Sequence, residues 1–194
     1  MPKVSDAYRE ARRDEIARAA MRRLSGHGFA KTTMADIIEE SGMSAGAIYS
    51  HFSGKAEIAQ HVARLTVGTK AEELIAYARS AQPPVGPIEI ISFVMEATKQ
   101  VGIRRSLLLQ VWAEATVDDE LRAILDQTVE RLRSAYADSV EPWLRETGRP
   151  TDAASIRSVA DTMVALSQGF IVNSALFGRD DPEAYLSGVG ELLG

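Results

Sequence analysis

Residues 28–55 read GFAKTTMADIIEESGMSAGAIYSHFSGK, and this stretch decides the fold. Thr33 is placed to cap a short helix, with Asp36 at the third position as an acidic form of the capping box. Gly42 ends that helix, and Ser44 caps a second one. Two short helices joined by a turn with a glycine predict a helix-turn-helix, whose second helix can enter a major groove. Any corner between two helices shares this outline, so position-specific detail is needed to favour DNA binding.

The second of these helices carries small residues at its leading end. Residues 44–46 are Ser-Ala-Gly, so the backbone can approach DNA closely, and free amides there suit a phosphate oxygen. We expect Ala47 and Ile48 to face the core, which leaves Tyr49 and His51 to point outward. Arginine and lysine are absent from this helix, so their bidentate contacts with guanine are not available from it.

On both sides of this stretch the apolar residues recur at spacings of three and four, and no Asn-Gly or Asp-Gly hairpin turn occurs. The pattern predicts an all-α protein of nine helices, divided by glycine and proline breakers. Three helices form an N-terminal helix-turn-helix domain over residues 1–55. A fourth helix, from Gly54 to about Ser80, leads into a helical domain over residues 56–194. Gly68 lies midway along this connector, where a glycine permits either a bend or a close packing contact.

The composition narrows the class of protein. The 194 residues are 45% hydrophobic and include no cysteine, which excludes fibrous and disordered proteins, disulfide-stapled secreted proteins and thiolate sites. The net charge of −5 is unevenly divided: residues 1–55 carry nine bases and seven acids, so the remainder is strongly acidic. A basic end on an acidic body suits a protein that brings one end to a polyanion, although a surface helix is commonly this basic.

The location of the protein is predicted from two absences. No signal-peptide pattern opens the sequence, so we expect a cytoplasmic protein. The longest uncharged run, residues 162–178, is shorter than the ~20 residues that span a bilayer, and it contains the polar side chains of Ser167, Gln168, Asn173 and Ser174. Polar side chains in lipid need partners, so this run is predicted to be a buried helix and no membrane contact is expected.

Residues 28–55 resemble the DNA-binding signature of the TetR family of bacterial transcriptional regulators almost throughout. The rest of the chain matches this family in length, helix count and helical character. The resemblance implies double-stranded operator DNA as a partner. It implies sugar-phosphate contacts from Thr33, Tyr49, His51 and Lys55, contacts to base edges or adjacent phosphates from Ser44, Ala45 and Gly46, and a share in this work for Thr32.

These residues also have purely structural interpretations. Thr33 and Ser44 cap helices whether or not DNA is bound. Tyr49 can be half-buried core, and Lys55 can be an ordinary solvated lysine. Further backbone contacts, or equally a solvated face, are expected from Lys3, Arg9 and Arg12.

The resemblance further implies that the last two helices build a homodimer and that the middle helices enclose a pocket for a small-molecule effector. The eighth predicted helix, from Thr151 or Asp152 to Gly178, is apolar on more than one face and rich in small side chains. Such a helix needs cover on more than one side. An isologous contact that includes the ninth helix, which begins at Asp181-Pro182, would supply that cover. Burial within one subunit is the alternative.

Candidate ligand contacts lie in the middle helices and in the eighth. Large or adaptable apolar side chains would contact the effector, and polar ones would orient it. Residues at helical spacing also serve as plain core. The candidates are Phe93, Met95, Trp112 and Tyr136 as apolar contacts, with Gln110, Glu114 and Asn173 as polar ones.

Signatures of catalysis do not occur in the sequence. The three histidines lack the i, i+4 pairing of metal sites, and the sequence has no P-loop, nucleophile elbow or dinucleotide-binding glycine motif. We therefore predict no catalytic residue, no metal and no cofactor. The sequence favours a repressor that a small-molecule ligand releases from its operator. The alternative is an all-helical enzyme or small-molecule carrier whose helix-turn-helix is structural only.

Overall fold

The computed structural model describes residues 6–100 and 104–193, apart from the side chains of residues 66, 98–100 and 191–193. All regular structure in these residues is helical, as predicted. The helices are α1 (Asp6–His27), α2 (Met34–Ser41), α3 (Ala45–Tyr49), α4 (Lys55–Ala63), α5 (Thr69–Ser80), α6 (Pro87–Gln100), α7 (Arg105–Glu114), α8 (Asp119–Glu146), α9 (Ala153–Phe177) and α10 (Pro182–Leu193).

The predicted connector is not one uninterrupted α-helix. Arg64–Gly68 form a π-helical segment between α4 and α5, so the nine predicted helices become ten among the described residues. A π-helical turn has wider i→i+5 hydrogen bonds and inserts an irregularity into the ladder. Gly68 closes this segment. Because no non-helical residue separates the three pieces, they still form one rod over residues 55–80.

The helices around the helix-turn-helix share an apolar cluster with the C-terminal half. Ile37 of α2 and Ile48 of α3 are fully buried in this cluster. Leu107 of α7 and Leu121 of α8 belong to it as well. Because the cluster crosses the predicted boundary at residue 55, the division into residues 1–55 and 56–194 stays a prediction.

A second apolar cluster fills the C-terminal half. Leu74 of α5, Tyr136 of α8 and Phe170 of α9 are almost completely buried in it. The helix α10 packs mainly on α6 and contacts α9 through Tyr185, whose hydroxyl donates to the Leu166 carbonyl at 2.8 Å and whose ring lies 5.3 Å from that of Phe170. Tyr185 therefore ties the start of α10 to α9.

The helix α9 carries the uncharged run. By length and composition it is the one helix of the described residues that could cross a membrane, a test that core helices of soluble proteins also pass. Its buried side chains, Met163 and Phe170 among them, face the core of the same chain, yet only 28% of its most apolar window is buried. The predicted burial of this helix therefore holds for one face only. Among the described residues, much of the apolar surface of α9 is not covered by other helices.

Candidate nucleic-acid interface

The first helix of the helix-turn-helix is fixed by the predicted capping box. The Thr33 hydroxyl accepts a hydrogen bond from the Asp36 amide at 3.2 Å, and the Asp36 carboxylate accepts one from the Thr33 amide at 2.8 Å. Arg23 of α1 donates to the same carboxylate at 2.9 Å. Hydrogen bonds from Thr33, joined by that from Arg23, hold the pKa of Asp36 well below its usual range. The charged carboxylate thus ties α2 to α1.

The turn and the second helix follow the predicted caps. Gly42 ends α2 with a φ of 67°, and the Ser44 hydroxyl accepts from the Ala47 amide at 3.2 Å. Ile48 is fully buried, whereas Ala45, Gly46 and Ala47 are exposed. The expectation that Ala47 faces the core is wrong, because this five-residue helix packs through Ile48 alone. The tip of α3 is therefore an exposed surface of small residues.

Tyr49 and His51 have different environments at the end of α3. Tyr49 is 54% exposed, so it is not core. His51 is half-buried, and its carbonyl accepts a hydrogen bond from Arg13 of α1. The Arg13 guanidinium also pairs with Glu57 of α4 at 3.0 Å and lies 4.2 Å from the centroid of the Phe52 ring. These contacts anchor the end of α3 to α1 and α4.

A shallow hollow of about 320 Å³ lies between α1 and α3. Tyr8 and Arg12 line it from α1, and the Arg12 Nε donates to the Tyr8 hydroxyl at 3.1 Å. Ser44, Ala47 and His51 line it from the other side. Arg12 was expected to contact DNA, whereas sequence reasoning missed Tyr8. The available signal was the spacing of four residues, which places both side chains on one face of α1.

Further exposed positive charge lies on α1 and in the loop before α2. Arg9 and Lys31 are exposed, and Lys3 lies outside the described residues. Exposed cations beside a helix tip of small residues can bind the phosphates of a duplex while the tip enters the groove.

Lys55 and Thr32 are both engaged inside the protein. The Lys55 Nζ donates to the carbonyls of Phe29 at 2.7 Å and Thr32 at 3.2 Å, so Lys55 is not an ordinary solvated lysine. Thr32 is 2% exposed, and its hydroxyl donates to the Gly28 carbonyl at 2.7 Å. The prediction that Thr32 shares in DNA contact is therefore wrong for its side chain, because the hydroxyl is buried and its proton is already used.

A cluster of Glu10, Asp14 and His61 joins α1 to α4. Their ligand atoms lie within 4.8 Å of one another, which is close enough for a metal ion. The cluster already contains a cation, because Arg64 donates to Glu10 and its Nη2 lies 3.0 Å from the Nδ1 of His61. The hydrogen bond from Arg64 lowers the pKa of Glu10. The chemistry of the cluster favours an ion-pair network over a metal centre.

The residues predicted to contact a ligand do not line one cavity. Met95 and Tyr136 are buried in the C-terminal core, where the Tyr136 hydroxyl lies 2.7 Å from that of Ser167. This burial raises the pKa of Tyr136. The side-chain Nδ2 of Asn173 donates to the Gly169 carbonyl within α9. The predicted ligand roles of these three residues are not supported, because packing and local hydrogen bonds already use them.

The other four candidates lie apart from one another. Phe93 lines a cavity of about 780 Å³ between α5, α6 and α10, whereas Trp112 lines one of about 490 Å³ between α7, α8 and α9. Gln110 contacts the N-terminal helices instead, because its Oε1 accepts from the Phe29 amide at 3.2 Å. Glu114 is half-buried at the end of α7 and lines neither cavity.

The larger cavity is both acidic and aromatic. Tyr77, which sequence reasoning missed, stacks on Phe93 with centroids 5.4 Å apart and planes 13° apart. Among the described lining residues the one lysine is Lys70, and it pairs with Glu73 at 2.6 Å. The acidic residues of the lining are Glu73, Glu89, Glu96 and Glu183.

A short exposed helix, held by caps on a helix-turn-helix and flanked by cations, is the geometry of a DNA-binding transcriptional regulator. Residues 16–62 match the model of bacterial regulatory proteins of the tetR family. Residues 91–193 match that of the BetI-type transcriptional repressor, C-terminal part. The second match spans more than half of the chain. The chain therefore belongs to the TetR family of DNA-binding transcriptional regulators, as the resemblance predicted.

Individual relatives agree with this assignment. The chain is 26% identical over 194 residues to the uncharacterized regulator YfiR of Bacillus subtilis, with 98% of this chain and 92% of YfiR covered. A TetR-family regulator structure from Syntrophomonas wolfei superimposes with a TM-score of 0.78 at 17% identity, covering 94% and 93%. A regulator structure from Saccharomonospora viridis, in complex with choline, gives 0.68 at 18% identity, covering 94% and 95%. The family and these relatives are transcriptional regulators, not enzymes.

Proposed function

We propose that this protein is a homodimeric, cytoplasmic repressor that binds operator DNA through α3 and its flanks and is released by a small organic cation. The exposed tip of α3 carries the DNA-binding part of the proposal. Its small residues contribute little to the core, so their exposure on a well-capped helix favours direct contact with DNA.

The proposed DNA contacts follow from the exposure of the side chains and, at Lys55, from a remaining N–H donor. The Lys55 ammonium has three N–H donors, and two carbonyls use two of them, which leaves one for a phosphate. Tyr8 and Arg12 join the set because they line the hollow beside α3. The proposed set is Thr33, Ser44, Ala45, Gly46, Tyr49, His51 and Lys55, with Tyr8 and Arg12 added and Thr32 removed.

The surface proposed for dimerisation is formed by α9 and α10. Most of the apolar window of α9 is not buried within one chain. Its last two residues, Leu176 and Phe177, are 63% and 66% exposed. A neighbouring pair of large exposed apolar side chains on an apolar helix favours a protein interface. A second copy supplies the same surface around a two-fold axis.

The 780 Å³ cavity is the proposed effector site. Among the described lining residues, Glu89 and Glu183 add negative charge beyond the Lys70–Glu73 pair, and the Tyr77–Phe93 pair offers an aromatic face. A cation is attracted to such a ring face and to nearby carboxylates. An organic cation with an apolar body is therefore favoured. The choline held by the Saccharomonospora viridis regulator, which shares this fold, supports the same class of ligand.

The rod of residues 55–80 is the proposed link between effector and DNA. It begins at Lys55, beside the DNA-facing surface, and Lys70 and Tyr77 in its second half line the effector cavity. Half-sites on one face of DNA lie about 34 Å apart, so DNA affinity depends on the separation of the two α3 helices in the dimer. We expect the effector to bind the dimer with one α3 separation more tightly than the dimer with the other, since equal affinity would not shift the equilibrium between the two conformations.

A band-shift titration with DNA from around the protein's own gene tests the proposal. We expect a sequence-selective complex that weakens steeply with salt, and its absence would favour an all-helical carrier or enzyme.

The effector is tested by adding choline or tetraethylammonium to this complex, with the neutral carbon isostere of each cation as its control. We expect the cations, and not their neutral isosteres, to release the DNA while the protein stays dimeric by mass. Glu89→Gln should be released less by the cations than the control Glu120→Gln, which lies outside the cavity.

A further inference from the structure

The loop between α1 and α2 is held from outside by side chains distant in sequence. The Phe29 amide donates to Gln110 Oε1 of α7 at 3.2 Å, and the Phe29 carbonyl accepts from Lys55 Nζ of α4 at 2.7 Å. Arg104, which immediately precedes α7, donates to the Ser25 carbonyl at 3.2 Å. Both backbone polar groups of Phe29 are therefore bonded to side chains, one of them from the C-terminal half.

The residue before Phe29 shows how close α7 comes to this loop. Gly28 has a φ of 86°, in the left-handed region that favours glycine. A Cβ on Gly28 would lie 2.4 Å from Gln110 Oε1. The contact therefore depends on a glycine that supplies both the turn and the room for the glutamine.

The same face of α7 contributes to the apolar core of the N-terminal helices. Leu107 lies one turn before Gln110, and it packs in the cluster that holds Phe29. Trp112, two residues after Gln110, lines the cavity between α7, α8 and α9 instead. The helix α7 thus lies between the C-terminal bundle and the loop that leads into the helix-turn-helix.

We infer that Gln110 is a positioning residue for DNA recognition. Its bond to Phe29 fixes the entry to α2, and with it the orientation of α3 relative to the helices proposed for dimerisation. Without this bond the α1–α2 loop can shift on α7, and the distance between the two α3 helices of a dimer is less strictly set. This inference rests on the proposed function, because it requires a dimer that reads two half-sites.

The test uses the full chain and an operator defined by footprinting, together with copies of that operator in which the half-sites are one base pair closer or farther apart. One base pair moves a half-site by about 3.4 Å along the axis, so the wild type should bind the altered copies much more weakly. For Gln110→Ala we expect a roughly threefold to tenfold weaker complex with the native operator, because DNA binding must then restore the loop position that the hydrogen bond holds in the free wild type, at a cost of up to the net worth of that bond. We also expect a clearly smaller preference for native spacing.

Three comparisons separate positioning from a general loss of structure. Gln110→Glu keeps an oxygen acceptor for the Phe29 amide and should restore most of the spacing preference. Gln127→Ala, on the exposed side of α8, should behave as wild type. Amide hydrogen exchange at Phe29, measured without DNA, should be at least several-fold faster in Gln110→Ala than in wild type. The thermal midpoints of Gln110→Glu and Gln127→Ala should equal that of the wild type.

The outcomes are distinguishable. Unchanged spacing preference in Gln110→Ala would overturn the inference, whatever its affinity. Equal weakening on every DNA together with a lower thermal midpoint would also overturn it, because that pattern is a folding defect. A wild type that binds no DNA, or binds as a monomer, would instead overturn the proposed function on which the inference rests.

Discussion

Arg13 of α1 and Glu57 of α4 are joined by an ion pair with Nη2 3.0 Å from Oε1. The other carboxylate oxygen of Glu57 accepts from the Ser53 amide at 2.8 Å. Arg13 also donates to the His51 carbonyl. One arginine and one glutamate therefore connect α1, the end of α3 and the start of the long rod, so the orientation of the recognition helix depends on this pair.

The first prediction concerns pH. The hydrogen bond from the Ser53 amide and the contacts with Arg13 lower the pKa of Glu57 below its ordinary 4.5. Because the folded state has the lower pKa, the ionised carboxylate stabilises the fold above pH 4.5, and this contribution is lost as the pH falls from 4.5 through the lowered value. Glu57→Gln should cost about 1 kcal/mol at neutral pH, allowing for partial solvent screening.

Urea unfolding of wild type and variant at neutral pH and below pH 4.5 checks this. The stability gap should narrow progressively as the pH falls below 4.5, and it should close once the pH is below the lowered pKa of Glu57, where both proteins carry a neutral group at position 57. Glu72→Gln on α5 is the matched control for loss of an exposed carboxylate. A gap that stayed constant with pH would mean that the charge of Glu57 is not what holds the pair.

The second prediction separates two lysines near the DNA-facing surface. Lys55 holds two loop carbonyls, whereas Lys31 is exposed. Lys55→Ala should lower the free energy of unfolding by roughly 1 to 3 kcal/mol, because it leaves partly buried carbonyls without a charged donor. It should also weaken operator binding and flatten its salt dependence by about one unit of slope. Lys31→Ala should leave stability unchanged. Equal thermal midpoints for both variants would contradict the anchoring role of Lys55.

Neighbouring threonines show how far local sequence determines the site. The role of Thr33 as a cap could be predicted, because its partner Asp36 is three residues away. The burial of Thr32 could not, because it depends on how the loop folds against Lys55, 23 residues away. Residue type is the same at both positions, and tertiary packing decides which hydroxyl faces solvent.

The C-terminal half was less predictable for a related reason. Its helices follow from periodicity and caps such as Asp118 and Asp152, which act within four residues. Which side chains meet across helices depends on long-range packing instead. Gln110 has a ligand-like residue type in a middle helix, yet its partner Phe29 lies 81 residues away. Stacking of Tyr77 on Phe93 likewise requires α5 and α6 to pack together, which periodicity alone does not specify.

The third prediction tests the dimer surface. Phe177 is 66% exposed at the end of α9. Phe177→Asp should move the protein from dimer to monomer in analytical ultracentrifugation, because buried aromatic anchors typically contribute 2 kcal/mol or more to an interface, or about thirtyfold in affinity. Val117→Asp is the control, since Val117 is 80% exposed in the turn between α7 and α8. A Phe177→Asp protein that remained dimeric would place the interface elsewhere.

The fourth prediction concerns the π-helical segment of the rod. Gly68 has right-handed helical angles, φ −61° and ψ −55°, and a Cβ there would meet only Arg64 Cγ at an ordinary 3.8 Å. Gly68→Ala should therefore be accepted without strain and should raise the free energy of unfolding by roughly 0.5 to 1 kcal/mol, because alanine has fewer unfolded conformations to lose. Gly26→Ala in α1, also an open helical position, should stabilise similarly without touching the rod.

The two glycine variants differ in what they should do to effector response. If the rod transmits ligand binding by bending at its π-helical segment, then stiffening residue 68 opposes the bent state and should reduce the coupling between effector and DNA, which is typically about 1 to 3 kcal/mol. The measurement is operator affinity with and without the organic cation that releases the wild type. Gly26→Ala should retain the full ratio of affinities, whereas Gly68→Ala should lose a substantial part of it while still binding the cation. An undiminished ratio in a stabilised Gly68→Ala protein would show that the rod moves as a rigid body, with its pivot at the Arg13–Glu57 end and not within the π-helical segment.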